Sequence, residues 1–600
     1  MKSKKILSVL LILFFAFGIF YSCGKKDGDK TSDKKRKLDD IGELDTNGAI
    51  NGDWVIKREM SDAEKLNPIV TNDNTAEGVY LRIYEALLDQ NFITFEFIPE
   101  LASLPEVAPD YLSYTFKMNK DAKFSDGKPV TGEDVIYTMK AIKNPFADNA
   151  AARNYYESVK SVELVNGDLG IVRINMKEPS WRAIINLGSF AICPKHVLDP
   201  ENLTDKYTWD DCKDYKTAEK NPAIKKYADF LNSQEVSREP KYVLGSGPYM
   251  LEKWETGQNI ILKRSPNYWD RKNTPNYPDK IIFKIIQDNS ASVVAAKNKE
   301  IDLMVVVSPK DFYKELENAE QFDLVRVTPS EPAFSYIGWN MKNPLFSDKK
   351  VRWALSHLVD RNSIIEKVLY GSATKIQSPV YYKFEKLLNK ELPEIPFDPE
   401  KAKKLLDEAG WKDTDGNGIL DKMVDGKKLE FKFTFLIPTH PVRKQTLLVI
   451  ADALKKVGIQ AEVQELEWSV YLDKTKKHQF DATLAAWANP TTPPDPYQIY
   501  HSSQMEGEGS NYVSYNNPES DKLIEEYRRE LDENKRIDIL KRWQQIIYDD
   551  QVYTFLWNPK SRYIYNNRYR NTRFYSKRNS MEMNEWWVPK GSQKYSPTMN

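Results

Sequence analysis

LEFKFTFLIPTHPVRKQTLLVIADALKKVGIQAEVQEL, residues 429–466, changes its hydrophobic period twice. Leu429, Phe431, Phe433, Phe435 and Ile437 alternate with Glu430, Lys432 and Thr434, which predicts a strand with one apolar face. From Pro441 to Val457 the period lengthens to that of a helix. Leu447, Leu448, Ala451 and Leu454 are its expected buried side, and Gly458 is its stop. Ile459, Ala461 and Val463 then alternate with Gln460, Glu462 and Gln464. Strand, helix and strand in that order make a βαβ unit.

The same mixture extends in both directions. Asp398, Pro399 and Glu400 supply an N-cap, a first-turn proline and a first-turn acid. Ala402, Leu405, Leu406 and Ala409 follow at helical spacing, and Gly410 ends that helix. Thr131 can cap a helix carrying Val135, Met139 and Ile142, with Asp134 near its positive end. Residues 171–176, 260–263, 281–286 and 303–307 read as strands. The class is α/β, with mixed sheets in more than one lobe. A chain of 600 residues is long enough for several lobes.

Lys plus Arg and Asp plus Glu each number 87, so a nucleic-acid binder, which carries a basic field, is disfavoured. Aromatic residues make up 12% of the chain, enough for a large recognition surface as well as the cores.

Lys2, Lys4 and Lys5 precede an apolar run of 15 residues, Ile6 to Phe20, short for a membrane span and suited to an export signal. The run ends at Phe20-Tyr21-Ser22-Cys23-Gly24, which resembles a lipobox with Phe20 where Leu is usual. Cys23 is the expected lipidation site; an ordinary secretory signal with a chance cysteine is the competing reading. Removing residues 1–22 takes the formal charge from zero to −3. Gly24 to Gly52 is polar, and a disordered tether is expected there. Its Lys34-Lys35-Arg36-Lys37 run can meet anionic lipid or simply be solvated. In an exported chain the remaining pair, Cys193 and Cys212, can form a disulfide or stand as two buried thiols. Lys590 to Asn600 reads as a loose tail.

The sequence contains no Walker loop, no His-Glu-x-x-His pair and no Gly-x-Ser-x-Gly elbow. Gly245-Ser246-Gly247 begins like a dinucleotide fingerprint, but Met250 stands at the third glycine. Five scattered His and three Cys make no metal cluster. Asp413, Asp415, Asn417 and Asp421 occupy positions 1, 3, 5 and 9 of a calcium loop, with Gly418 at 6. Val424 stands where the closing Glu belongs, and an Asx- and Gly-rich turn explains the same letters. No metal and no cofactor are expected.

A set of short motifs occurs in a fixed order: Asn67-Pro68 and Tyr84-Glu85-Ala86-Leu87-Leu88; Tyr114-Thr115-Phe116, the 123–131 run KFSDGKPVT and Asp134-Val135; Gly245 to Tyr249; Arg264-Ser265-Pro266-Asn267-Tyr268-Trp269; Glu300-Ile301-Asp302; Asn340, Phe346-Ser347-Asp348 and Val351-Arg352; Ala402 to Trp411; Asn511-Tyr512 and Asp521 to Ile524. From about Trp54 to Trp557 this set resembles family 5 of the extracellular solute-binding proteins, the oligopeptide- and dipeptide-binding type that serves ABC importers.

The resemblance implies a two-lobed, periplasmic-binding-protein-like fold of three domains with mixed sheets and a hinge-closed cleft. After the signal peptide expected at 1–22 and the lipidated Cys23 and tether expected at 23–52, it implies domain I at 53–88 and 188–327. Domain II would be inserted at 89–187, domain III would run from 328 to 554, and residues 555–600 would return to domain I. It implies that main-chain groups of the strand from Phe480 to Trp487 bond a ligand like an added strand. Trp468, Ala486, Trp487, Ala488 and Asn489 are the ligand-binding candidates. Peptide-binding members tend to place an Asp three residues after that Trp; here the position is Pro490, and Asp495 is the nearest acid. Either Asp495 replaces it or the ligand is not held by a free amino end. The implied function is a monomeric, lipid-anchored, exported binding protein, not an enzyme. It would deliver peptides to a permease and ATPase, with no role for nucleic acid. Oligosaccharides, metal chelates or other small solutes, a receptor role without transport, and a secreted hydrolase are the competing functions.

Overall fold

The computed structural model describes residues 44–71, 73–424, 426–488, 492–506, 509–576 and 581–595. The export signal, Cys23 and the basic run at 34–37 lie outside them, as do Asn489 and Pro490.

Three sheets organise the body. The first has seven strands, in the order Leu324–Val327, Tyr563–Asn566, Leu303–Val305, Trp54–Glu59, Lys280–Ile285, Asn259–Arg264 and Tyr249–Glu255. It is mixed: Trp54–Glu59 runs parallel to Lys280–Ile285, which is antiparallel to Asn259–Arg264. The second is antiparallel and built from Glu106–Val107, Ser113–Lys117, Ile171–Met176 and Val159–Leu164. The third has six strands, in the order Ala373–Lys375, Tyr553–Pro559, Ala333–Trp339, Ala482–Ala488, Lys432–Pro438 and Gln460–Leu466. The expected domain boundary at 554 falls inside Tyr553–Pro559, which stays in the third sheet by pairing with Ala333–Trp339.

The βαβ unit is present. Lys432–Pro438 and Gln460–Leu466 are parallel, with Phe433 opposite Ala461 and Phe435 opposite Val463, and helix Pro441–Lys455 joins them. Two details differ from expectation. Leu429 and Glu430 belong to a separate hairpin, Asp421–Val424 with Lys427–Glu430. The helix buries Thr446, Leu447, Ile450 and Leu454, leaving Leu448 at 55% exposure and Ala451 half-buried. Residues 446–454 are apolar almost all round, so spacing alone leaves the helix's rotation open by one residue.

Both faces of the third sheet are covered. Ile337, Trp339, Phe433, Phe435 and Leu447 form one core. Phe334, Tyr336, Leu436, Ala485, Tyr553 and Phe555 form the other, against helices Pro518–Arg529 and Glu533–Asp549.

Both ends of the body are tied to the first sheet. The expected tether is bonded from Asp45 onward: Trp587 Nε1 donates to Asp45 O at 2.7 Å, and Gly52 N to Tyr277 O at 3.0 Å. The tail expected to be loose from 590 is held through Tyr595, whose ring stacks on Trp54 at 4.4 Å and whose N–H donates to Asp53 at 3.1 Å. Arg568 joins these passages, bonding Asp302, the carbonyl of Trp54 and, at 3.1 Å, Asp53.

Of the two readings for the cysteines, the buried thiols hold. Cys193 packs in the large core around the first two sheets, and Cys212 in a separate cluster with Tyr207, Ala218 and Ile224, so the pair is unbonded. Burial raises both thiols, Cys212 to about 12. Gly245 and Gly247 serve packing: a Cβ on Gly245 would stand 2.0 Å from Ile83 O, and Gly247 N donates to that same oxygen at 2.8 Å.

Candidate functional site

The strand Ala482–Ala488 is bonded along its whole length to Ala333–Trp339 on one side. On the other side its ladder with Lys432–Pro438 is the single pair Phe435–Ala482. Beyond Ala482, no other strand among the described residues pairs with that edge. Backbone N–H and C=O groups must be satisfied somewhere, and an open edge is a template for an extended chain. Ala486 and Ala488 are exposed, and their methyl groups leave room beside the backbone.

Aromatic side chains frame the edge. Trp487 is half-buried, lies parallel to Tyr336 at 6.4 Å and is tilted on Tyr512 at 5.7 Å. Tyr336 in turn stacks on Tyr553 at 4.0 Å. Trp468 opens helix Trp468–Lys476, is 55% exposed and stacks on Tyr471 at 5.7 Å. The Tyr471 hydroxyl meets Thr483 Oγ1 at 3.0 Å, which ties that helix to the open-edged strand.

Basic side chains gather at the start of helix Pro441–Lys455. Arg443 has no hydrogen-bond or ion-pair partner among the described residues, and burial lowers its pKa. His440, one helical turn before it, keeps a buried Nδ1 without a partner. Burial, with Arg443 and Arg562, holds its imidazole down at about 4. Arg562 is anchored by donating to Val306 O and Val307 O, at 3.1 and 2.7 Å.

Asp495 is otherwise engaged. Its Oδ2 lies 3.3 Å from Arg528 Nε, and its Oδ1 accepts from Tyr497 N at 3.1 Å. The structure thus brings Ala486, Trp487 and Ala488 together, with Trp468 joined through Tyr471, and gives Asp495 a cation of its own. Tyr336, Tyr471 and Arg443 carry no mark in the sequence, and Tyr512 is marked there only as part of a motif, because their proximity arises only when distant strands and helices pack.

The 413–421 loop uses its own acids. Asp413 accepts from Gly416 N, Asn417 N and Gly418 N at 2.8–3.1 Å, and Asp421 from Thr414. Lys428 Nζ lies 2.6 Å from Asp415 and 3.2 Å from Asp421, supplying positive charge among the three carboxylates. These bonds are the Asx-turn chemistry of such a sequence.

An open-edged strand with aromatic side chains, in a multi-sheet α/β body, suits a protein that binds an extended solute. The family model for bacterial extracellular solute-binding proteins, family 5 (middle), matches residues 96–508, and the chain belongs to that family. It is 31% identical to the oligopeptide-binding protein AppA of Bacillus subtilis, over 98% of this chain and 100% of that one. It is 25% identical to the dipeptide-binding protein of Escherichia coli, over 81% and 85%. The solved structure of Bacillus subtilis AppA with a nonapeptide superposes with a TM-score of 0.71 at 30% identity, covering 90% of this chain and all of that one. NikA of Brucella suis with Fe(III)-EDTA shares the fold, with a TM-score of 0.73 at 21% identity over 89% of this chain and all of that one. No helix among the described residues is long and apolar enough to cross a membrane.

Proposed function

We propose that this protein is the substrate-binding subunit of an ABC importer. It captures peptides between its lobes and delivers them to a membrane permease with its ATPase. The observation that carries this reading is the open edge of residues 483–488, which includes exposed Ala486 and Ala488 and the half-buried Trp487. An extended peptide adds to such an edge through main-chain bonds, largely independent of its side chains. The nonapeptide bound by Bacillus subtilis AppA supports a peptide of several residues. Cys23 would carry the lipid that holds the monomeric protein at the outer face of a membrane, and the three sheets would be domains I, II and III.

The pairing of Asp495 with Arg528 favours a refinement: the peptide's amino end is not held by Asp495. Calorimetric titration tests both points. Peptides should bind, and N-acetylation should change Kd less than threefold. Binding confined to sugars or metal chelates would move the substrate class and keep the importer.

A further inference from the structure

Trp181 lies between the strand Ile171–Met176 of the second sheet and helix Ala183–Ser189. The turn that carries it is fixed from its own side: Tyr114 donates its hydroxyl to Ser180 O at 3.3 Å, and Arg182 N donates to Ser180 Oγ at 3.2 Å. Its indole packs against the aromatic core of the third sheet. There Nε1 donates to Tyr527 O at 3.0 Å, and the ring meets the Tyr527 ring edge-on at 5.2 Å. The guanidinium groups of Arg536 and Arg182 lie 4.6 and 5.3 Å from the indole centroid. Tyr527 belongs to the last turn of helix Pro518–Arg529, where carbonyls lack partners within the helix. The acceptor is thus one the helix leaves open, at its negative end, and the donor comes from a different sheet.

The neighbouring residue makes a second bridge. Arg182 Nη1 donates to Pro493 O at 2.8 Å. Pro493 lies five residues beyond the open-edged strand and two before Asp495, which Arg528 holds. Arg528 also lies over the Tyr497 ring at 4.3 Å. The segment leaving the candidate binding strand is therefore gripped from the second sheet by Arg182 and from the third by Arg528.

We propose that Trp181 and Arg182 are a clasp that holds the domain of the second sheet onto that of the third, populating the closed state before any solute arrives. The contacts of Trp181 with Tyr527 and Arg536, and of Arg182 with Pro493, part together when the lobes separate. A solute then has less of the open–closed equilibrium left to shift, and its release waits on the clasp. The inference does not depend on which solute fills the cleft.

Single-molecule energy transfer on the ligand-free chain from Leu44 onward tests it, with dyes at Lys160→Cys and Lys522→Cys, both exposed sites. Cys193 and Cys212 are buried and remain unlabelled. The parent protein should be mainly closed, and Trp181→Ala and Arg182→Ala should each lower the closed-to-open ratio about tenfold, the equivalent of ~1.4 kcal/mol. Trp181→Phe keeps a ring but no N–H, and should fall between. A mainly open parent, or an unchanged ratio in variants whose Tm shows them folded, overturns the clasp. If Trp181→Ala does not fold, Arg182→Ala, changed at a half-buried side chain, decides alone.

Discussion

Replacing Arg568 with Met should cost this protein more stability than any single change at its candidate binding edge. The guanidinium is 7% exposed and the two carboxylates it serves are 1% exposed. Its Nε bonds Asp53 at 3.1 Å, its Nη2 bonds Asp302 at 3.0 Å and Trp54 O at 3.1 Å, and its Nη1 also reaches Asp302. Methionine fills similar volume but leaves two buried carboxylates facing each other without the guanidinium that bonds both, Lys594 being the remaining nearby cation. Each retains some backbone donors: Ile56 N for Asp302, and Trp54 N and Tyr595 N for Asp53. Breaking a buried pair on one side costs about 3–5 kcal/mol, because the remaining charge is uncompensated. For a cooperative unit the size of the first-sheet domain, that is a fall in Tm of about 10 °C. The assay is calorimetric melting of the chain from Leu44 onward, for Arg568→Met and for the same change combined with Asp302→Asn. The double variant should recover part of the loss, since one stranded charge is gone. A loss below about 1 kcal/mol, or a double variant that is simply additive, would refute the argument that charge stranding sets the cost.

Other outcomes follow from the same structure. Glu85 is buried beneath Tyr268 and Trp269, which donate to it at 2.6 and 2.8 Å, and burial raises its carboxyl to about 7. Its protonated form contributes stability that is full below about pH 4.5 and fades as pH rises through 7, by about 3 kcal/mol; urea melts across that range should show the decline, and Glu85→Gln should flatten it. Arg443→Met removes a cation with no partner among the described residues, so the ligand-free protein should melt about 2 °C higher while its peptide affinity drops, a trade calorimetry reads directly. Trp487→Ala should weaken peptide binding at least about tenfold through loss of a large aromatic face, whereas Asp495→Asn should leave the preference between free and acetylated amino ends unchanged. Both thiols of the chain lacking Cys23 should stay inert to a thiol reagent until denaturant is added.

The sequence revealed elements more readily than their meetings. The βαβ unit was legible because Phe433, Phe435 and Ile437, then Leu447 and Leu454, then Ala461 and Val463 each keep one period, and Gly458 marks the join. The side of the helix was less so, since Leu448 and Ile450 offer equal apolar surface and only packing against the third sheet chooses between them. The order of residues 45–52 and 590–595 is hidden from the sequence because their anchors are remote in it: Asp45 meets Trp587, and Tyr595 meets Trp54. At the site, Trp487 could be marked by its place on a strand. Arg528 on Asp495 and Trp181 on Tyr527 join separate elements across long stretches of chain, and no local pattern announces such pairs.

The most direct test of the account is titration of the chain from Leu44 onward with a nonapeptide, in free and N-acetylated forms, followed by calorimetry. The account predicts saturable one-to-one binding of both forms, with Kd values within about threefold of each other and at least about tenfold weaker for Trp487→Ala, the loss expected of an aromatic anchor that the ligand covers. No heat and no rise in Tm with either peptide, alongside a rise with a sugar or a metal chelate, would contradict peptide capture at the open strand edge.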